Sequence, residues 1–174
     1  MKNVPMKGII TPILTPMNPD ETVNLEVLRQ QIERLIEGGV HGIFPLGTNG
    51  EAYALSFDEK LAIIETCVDQ VKGRVPVYAG TGCITTRETI ELSKRAADLG
   101  ADILSIITPS FAVASQKEMY DHYVEVASCY TTSPPAPATS CCLRPSPSWQ
   151  RTLTSSWAPR TPAATGTTCR LISA

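Results

Sequence analysis

Ile43-Phe-Pro-Leu-Gly-Thr-Asn-Gly-Glu51 opens on an apolar run with no polar face and closes on Gly47-Thr-Asn-Gly50. A run this short, ended by glycine and followed by an amphipathic stretch from Ser56, reads as a parallel strand buried on both faces that turns into a helix. The same unit recurs on either side of it. Gly8-Ile-Ile-Thr-Pro-Ile-Leu-Thr-Pro16 precedes it, and Val75-Pro-Val-Tyr-Ala-Gly-Thr81 and Ile103-Leu-Ser-Ile-Ile-Thr-Pro109 follow. Between them, Leu25, Leu28, Ile32, Leu35 and Ile36 repeat at helical spacing behind Asn24, a natural N-cap. Leu61, Ile64, Val68 and Val71 do so behind Ser56-Phe-Asp-Glu59. Thr85-Thr-Arg-Glu88 and Ser115-Gln-Lys-Glu118 open two further helices, and all three of these starts have the form of a capping box. Strand starts near residues 8, 42, 75 and 103 thus predict a β-α-β-α-β-α-β-α order and a parallel sheet. An open doubly wound sheet and a TIM (β/α)8 barrel both fit. The lack of a glycine-rich phosphate loop after the first strand weighs against the nucleotide-binding version.

Composition divides the chain. Of its 174 residues, 43% are hydrophobic and 18% charged, with a net charge of −2. That balance excludes a basic nucleic-acid binder, and no apolar run reaches the roughly 20 residues of a membrane span. Prolines and threonines interrupt Met1–Met17, which argues against a signal peptide, so a cytoplasmic protein is expected. Residues 1–127 carry 11 basic and 17 acidic residues, a balance of −6, and the remainder carries +4. Residues 128–174 hold seven of the 14 prolines, four of the six cysteines and both tryptophans, but no Asp, Glu, Lys or Val. Only four of these 47 residues are Leu, Ile, Val or Phe, too few to build a core. The expected organisation is a folded segment over 1–127 and a Pro/Ser/Thr/Cys-rich disordered tail over 128–174. Cys129, Cys141, Cys142 and Cys169 lack the paired spacing of a zinc site, so no metal is expected, and all six cysteines are expected as thiols.

In either α/β fold, functional residues gather at the carboxyl ends of the strands. There the sequence places Thr11 and Thr15, Gly47–Glu51, Gly80-Thr-Gly82 and Thr108-Pro-Ser-Phe111. Gly47 and Gly50 let backbone approach a ligand, Thr48 offers a hydroxyl, and N–H groups around Asn49 suit a carboxylate or phosphate. From spacing alone, a tight strand-to-helix turn with no ligand is the simpler account.

Gly42-Ile-Phe-Pro-Leu-Gly-Thr-Asn-Gly-Glu51 followed by Ala54-Leu-Ser-Phe-Asp-Glu-Lys60 resembles the dihydrodipicolinate synthase / N-acetylneuraminate lyase family. Val77-Tyr-Ala-Gly-Thr-Gly82, Gly100-Ala-Asp102 and Ile107-Thr-Pro109 fit it in the same order, and the resemblance covers about residues 5–127. It implies a (β/α)8 barrel, usually tetrameric, that binds pyruvate or another 2-oxo acid as a Schiff base on a lysine of the sixth strand, with no cofactor. It also implies that Thr48 relays protons and touches the bound keto acid. Gly47, Asn49 and Gly50 would form the backbone cradle for the substrate carboxylate. The synthases usually carry threonine where Asn49 stands, which points to a divergent branch. Phe111 replaces the tyrosine that completes the family's relay, which argues against dihydrodipicolinate synthesis itself and leaves other aldol-type cleavage open.

The implied lysine has no counterpart. Lys60, Lys94 and Lys117 fall in predicted helices, Lys72 follows one, and Lys2 and Lys7 precede the first strand. The tail accounts for this. When each codon is read from its third base, Tyr130–Cys142 can encode Y-N-I-P-A-R-T-G-N-K-L-L, the family's fifth-strand motif. In the same frame Ala158–Cys169 can encode A-K-D-S-S-G-D-W-D-N-L, the sixth-strand motif with its lysine. The expectation is a frameshift near residues 126–128, leaving four βα units and an out-of-frame tail.

Four units leave the first and fourth strands as open edges, which template aggregation. Exposing about six inward side chains at roughly 1.5–3 kcal/mol each rivals a whole domain's stability of about 5–15 kcal/mol. Self-association or aggregation is therefore expected rather than a clean monomer, with a small 2-oxo acid as ligand and neither nucleic acid nor membrane as partner.

Overall fold

The computed structural model describes residues 7–110, 112–131 and 171–172. The element order is β1 (Ile10–Pro12), α1 (Leu25–Glu37), β2 (Gly42–Phe44), a short 3₁₀ turn (Thr48–Gly50) and α2 (Phe57–Val71). Then come β3 (Tyr78–Gly80), α3 (Thr86–Asp98), β4 (Ile103–Ser105), α4 (Gln116–Thr131) and β5 (Leu171–Ile172). Each helix begins where its capping residues require. Asn24 accepts from the Val27 N–H, Ser56 and Glu59 form a reciprocal capping box, and Thr85 accepts from the Glu88 N–H. Ser115 and Glu118 exchange the same pair of bonds at the start of α4.

Strand order decides between the two folds that periodicity left open. β1 pairs with β2 and β3 with β4, all parallel, and a parallel bridge from Ile43 to Val77 joins β2 to β3. Sequential neighbours 1-2-3-4 describe one side of a barrel, whereas a doubly wound sheet reverses its order part-way. The fold is thus the first part of a (β/α)8 barrel.

The sheet's two faces are treated differently. Ile43, Val77, Ala79, Leu104 and Ile106 face the helices and join Leu28, Ile32, Ile63, Ile64, Leu92 and Val126 in one core. Tyr78 and Ile103 are also buried but stand outside that cluster, on the face that would line the barrel. The Tyr78 ring lies over Gly42, where a Cβ would come within 2.8 Å of it. Near β1 the surface is open: Ile9 and Leu14 are 66% and 59% exposed.

Two expectations are corrected here. The barrel-lining face is not open throughout, because Tyr78 and Ile103 are covered on it. Nor is the fourth strand an open edge, because β5 pairs parallel with β4, Leu171 opposite Leu104 and Ile172 opposite Ser105. An apolar Leu-Ile pair finds there the unpaired backbone groups that an edge strand offers. The rest of the predicted disordered tail, residues 132–170 and 173–174, lies outside the described residues, as do Lys2 and Phe111.

Interactions between elements complete the frame. Asp102 Oδ2 accepts from the Val77 N–H at 2.9 Å, so the Gly100-Ala-Asp102 motif fastens the start of β3. Between α1 and α2, Arg29 pairs with Asp69 and Arg74 with Glu33. These pairs are exposed and contribute little each. Cys67 is fully buried, and burial pushes its thiol up to about 12, which makes it inert.

His122 in α4 is a second titratable group that burial perturbs. Its ring is 6% exposed, Nδ1 shares a 2.9 Å hydrogen bond with Thr86 Oγ1, and buried Nε2 has no partner among the described residues. Burial holds its pKa below the ordinary 6.5, against a smaller opposing pull from Glu125. The folded chain thus favours the neutral ring, and the unfolded chain binds the proton first. This contribution to stability is complete above about pH 6.5 and is lost as pH falls from there through the lower pKa of the folded ring. Urea melts at about pH 7 and about pH 5.5 are expected to differ more for the unaltered chain than for His122→Gln. Equal differences would remove His122 from the acid response.

Candidate functional site

Each strand end is locked to the next by a glycine. After β1, Thr15 Oγ1 donates to the Gly50 carbonyl at 2.7 Å, and a Cβ on Gly50 would stand 3.0 Å from the Ile13 carbonyl oxygen. Between β2 and β3, the Gly80 N–H donates to Pro45 O at 3.0 Å, and a Cβ on Gly80 would meet Leu46 O at 2.2 Å. Between β3 and β4, Thr81 N–H donates to Ser105 O, and a Cβ on Gly82 would meet the Ile107 nitrogen at 2.8 Å. The carboxyl ends of all four strands therefore form one tight rim. Its backbone approaches leave no room for side chains at Gly80 or Gly82 and a tight fit at Gly50.

The Gly47–Gly50 segment stands on this rim. Gly47 is extended (φ −76°, ψ −178°), and the turn closes through Gly50 N–H to Gly47 O and Glu51 N–H to Thr48 O. Thr48 and Asn49 are exposed, and their N–H groups come before the two that the turn uses internally. Both flanks lie in the left-handed region, Leu46 at φ 61° and Glu51 at φ 52°. For a buried leucine that is a strained position, held by its surroundings. Nothing in the strand pattern of the sequence announces it.

The other strand-end groups divide. Thr15 joins the Gly47–Gly50 turn directly. Thr81 turns away from the rim: its hydroxyl accepts from buried Ser93 at 2.7 Å. Thr89 ties the Cys83 N–H to α3, and burial raises the Cys83 thiol against the weaker pull of Lys60. Thr108 and Pro109 are half-buried after β4. The segments after the four strands, residues 13–24, 45–56, 81–85 and 106–115, contain no lysine. Lys60 and Lys94 lie within α2 and α3, Lys117 within α4, and Lys72 caps α2. Among the described residues no cluster of three His, Cys, Asp or Glu side chains forms a metal site, and no helix is long and apolar enough to cross a membrane.

Against known proteins, residues 5–135 match the dihydrodipicolinate synthetase family, extending the sequence resemblance by a few residues. The chain is 45% identical over 121 residues to the 4-hydroxy-tetrahydrodipicolinate synthase of Pelobacter propionicus, covering 70% of itself and 41% of that relative. Among solved structures it superposes on the Acinetobacter baumannii dihydrodipicolinate synthase complexed with pyruvate, with a TM-score of 0.70 at 39% identity. That match covers 72% of this chain and 43% of the other. YagE, an E. coli K12 prophage protein of the dihydrodipicolinic acid synthase family, also complexed with pyruvate, matches with a TM-score of 0.72 at 35% identity. It covers 87% of this chain and 51% of its own. The chain thus spans about 41% of the length of the curated relatives it matches. Motifs, strand order, glycine-locked rim and these matches agree: the chain belongs to the dihydrodipicolinate synthetase family.

Proposed function

We propose that this chain carries the first half of the active site of a lyase that cleaves or forms carbon–carbon bonds through a 2-oxo acid such as pyruvate. In this reading Thr48 contacts and relays protons to the keto acid. Gly47, Asn49 and Gly50 present backbone to its carboxylate. Two relatives bound to pyruvate support the substrate class. An exposed Thr48-Asn49 pair on a rim where Gly80 and Gly82 carry no side chain supports the placement.

The same reading makes the chain as it stands catalytically incomplete. Schiff-base chemistry needs an unprotonated amine among the strand ends, which a desolvated lysine supplies. The observation that carries this is the absence of lysine from all four post-strand segments. A gene read one base out of register can restore the lysine across Pro159 and Arg160, where the shifted codon can be AAG. On this view residues beyond about 127 are an out-of-frame translation of the barrel's second half. Borohydride reduction with pyruvate, followed by intact-mass measurement, tests it: no covalent adduct is expected, and an adduct on any lysine, with half-buried Lys60 the first to examine, contradicts it.

A second reading is a non-enzymatic half-barrel that pairs with a second copy or with an intact paralogue. The open apolar surface at Ile9 and Leu14 favours it. The β1 edge is a poor partner for edge-to-edge pairing, because Ile13 N–H points to β2, which turns the outward edge positions to Ile10 and Pro12. Proline there has no N–H to donate. Association would therefore run through the face rather than the edge. Light scattering across a concentration series distinguishes the outcomes: mass rising with concentration supports this reading, and a constant monomer mass opposes it.

A further inference from the structure

We infer that Thr15 is the positioning residue for the Thr48–Asn49 turn. A three-residue 3₁₀ turn is too short to hold its own shape, since two internal hydrogen bonds fix few residues against a large ordering cost. Its flanks make this harder, because Leu46 and Glu51 both occupy the left-handed region. Something outside the turn must hold it, and the structure supplies that from β1. Among the described residues, the one side-chain hydrogen bond that reaches residues 47–51 is Thr15 Oγ1 to Gly50 O, at 2.7 Å and across 35 residues of sequence. Thr15 is half-buried, so this bond is shielded from competing water. Gly50 presses its bare Cα side against the Ile13 carbonyl at the same point, which leaves the turn one seat on the end of β1. The hydroxyl of Thr15 thus sets the angle at which Thr48 and Asn49 face the rim. Its importance to a ligand rests on the 2-oxo-acid reading, but the positioning itself does not.

Hydrogen–deuterium exchange of the full chain, read by mass spectrometry on peptides covering residues 46–54, tests this. Thr15→Ala and Thr15→Val are expected to raise exchange there about tenfold, the equivalent of one lost hydrogen bond. Thr15→Ser is expected to remain near the unaltered chain, and peptides of α1 and α2 should not change. Unchanged exchange in Thr15→Ala, or Thr15→Ser exchanging as fast as Thr15→Ala, overturns the proposal. So does a rise of equal size in α1 and α2, or failure of both loss variants to fold, because a positioning role leaves the helices intact. The experiment needs no ligand, so its outcome is separate from the trapping experiment that tests the 2-oxo-acid reading.

Discussion

Restoring the reading frame after codon 127 by one base is expected to convert an inert chain into an enzyme. The purified 174-residue chain should show no pyruvate adduct after borohydride reduction, whereas the frame-restored product should gain one adduct per chain. Its cleavage or condensation rate should exceed the uncatalysed rate by at least about 10⁶-fold, the lower end of what enzymes achieve. The reason is chemical. In the proposed reading Thr48, Asn49 and the glycine-locked rim would hold and orient a keto acid, but none of them carries an amine to form the carbon–nitrogen bond that turns its carbonyl into an electron sink. Replacement by arginine of the lysine that the shifted reading would place across Pro159 and Arg160 should return the restored product to the inert state. Activity surviving that replacement would show that the nucleophile lies elsewhere. A restored product that folds but neither traps pyruvate nor turns over would remove the lyase reading.

Gly80→Ala should be the most damaging single-methyl change in the described fold. A Cβ there stands 2.2 Å from the Leu46 carbonyl oxygen, 2.7 Å from its carbon and 3.1 Å from Pro45 O. All three are backbone atoms, so no rotamer change relieves the clash. The same peptide unit is pinned by the Gly80 N–H to Pro45 O bond and by the left-handed Leu46. Separating β2 from β3 at that point breaks the bond and opens the core beside Ala79 and Leu46. A loss of about 3 kcal/mol or more is expected, seen as a urea midpoint lower by roughly 1–3 M. Gly47→Ala is the internal comparison. Its new methyl would meet only the Phe44 ring, at 3.5 Å, and its φ of −76° suits any residue. It should cost within about 1 kcal/mol. Equal midpoints for the two variants would mean that the rim is not locked as described.

What the sequence disclosed and what it withheld follow one physical line. Helix starts were legible because a cap and its target lie three residues apart: Asn24 with Val27, Ser56 with Glu59, Thr85 with Glu88 and Ser115 with Glu118. Buried strands were legible from short apolar runs closed by Gly, Thr or Pro, although three-residue ladders are shorter than those runs suggested. Strand order was not legible from periodicity, because the same β-α alternation serves a barrel and a doubly wound sheet; the family resemblance pointed to the barrel. The contacts that join distant segments were also hidden. Thr15 to Gly50, Asp102 to Val77 and Ser93 to Thr81 join residues 35, 25 and 12 apart, and no local pattern marks them. Thr81 shows the cost of this: a hydroxyl at a strand end read as a site candidate, and the fold directs it to α3. His122 was missed for a similar reason, since a lone histidine among polar helix residues carries no sign that packing against α3 will bury it.

The central claim is that the tail is a displaced reading of the barrel's missing lysine strand, and the nucleotide sequence across codons 158–161 tests it most directly. At the sixth-strand position lysine can arise in the shifted frame only if Arg160 is encoded by AGA or AGG, and the Lys-Asp pair requires CCA for Pro159 followed by AGG. The account predicts CCA-AGG-ACN over Pro159-Arg160-Thr161. A CGN codon at Arg160 leaves only Ser, Pro, Thr or Ala at the shifted position, and that result contradicts it.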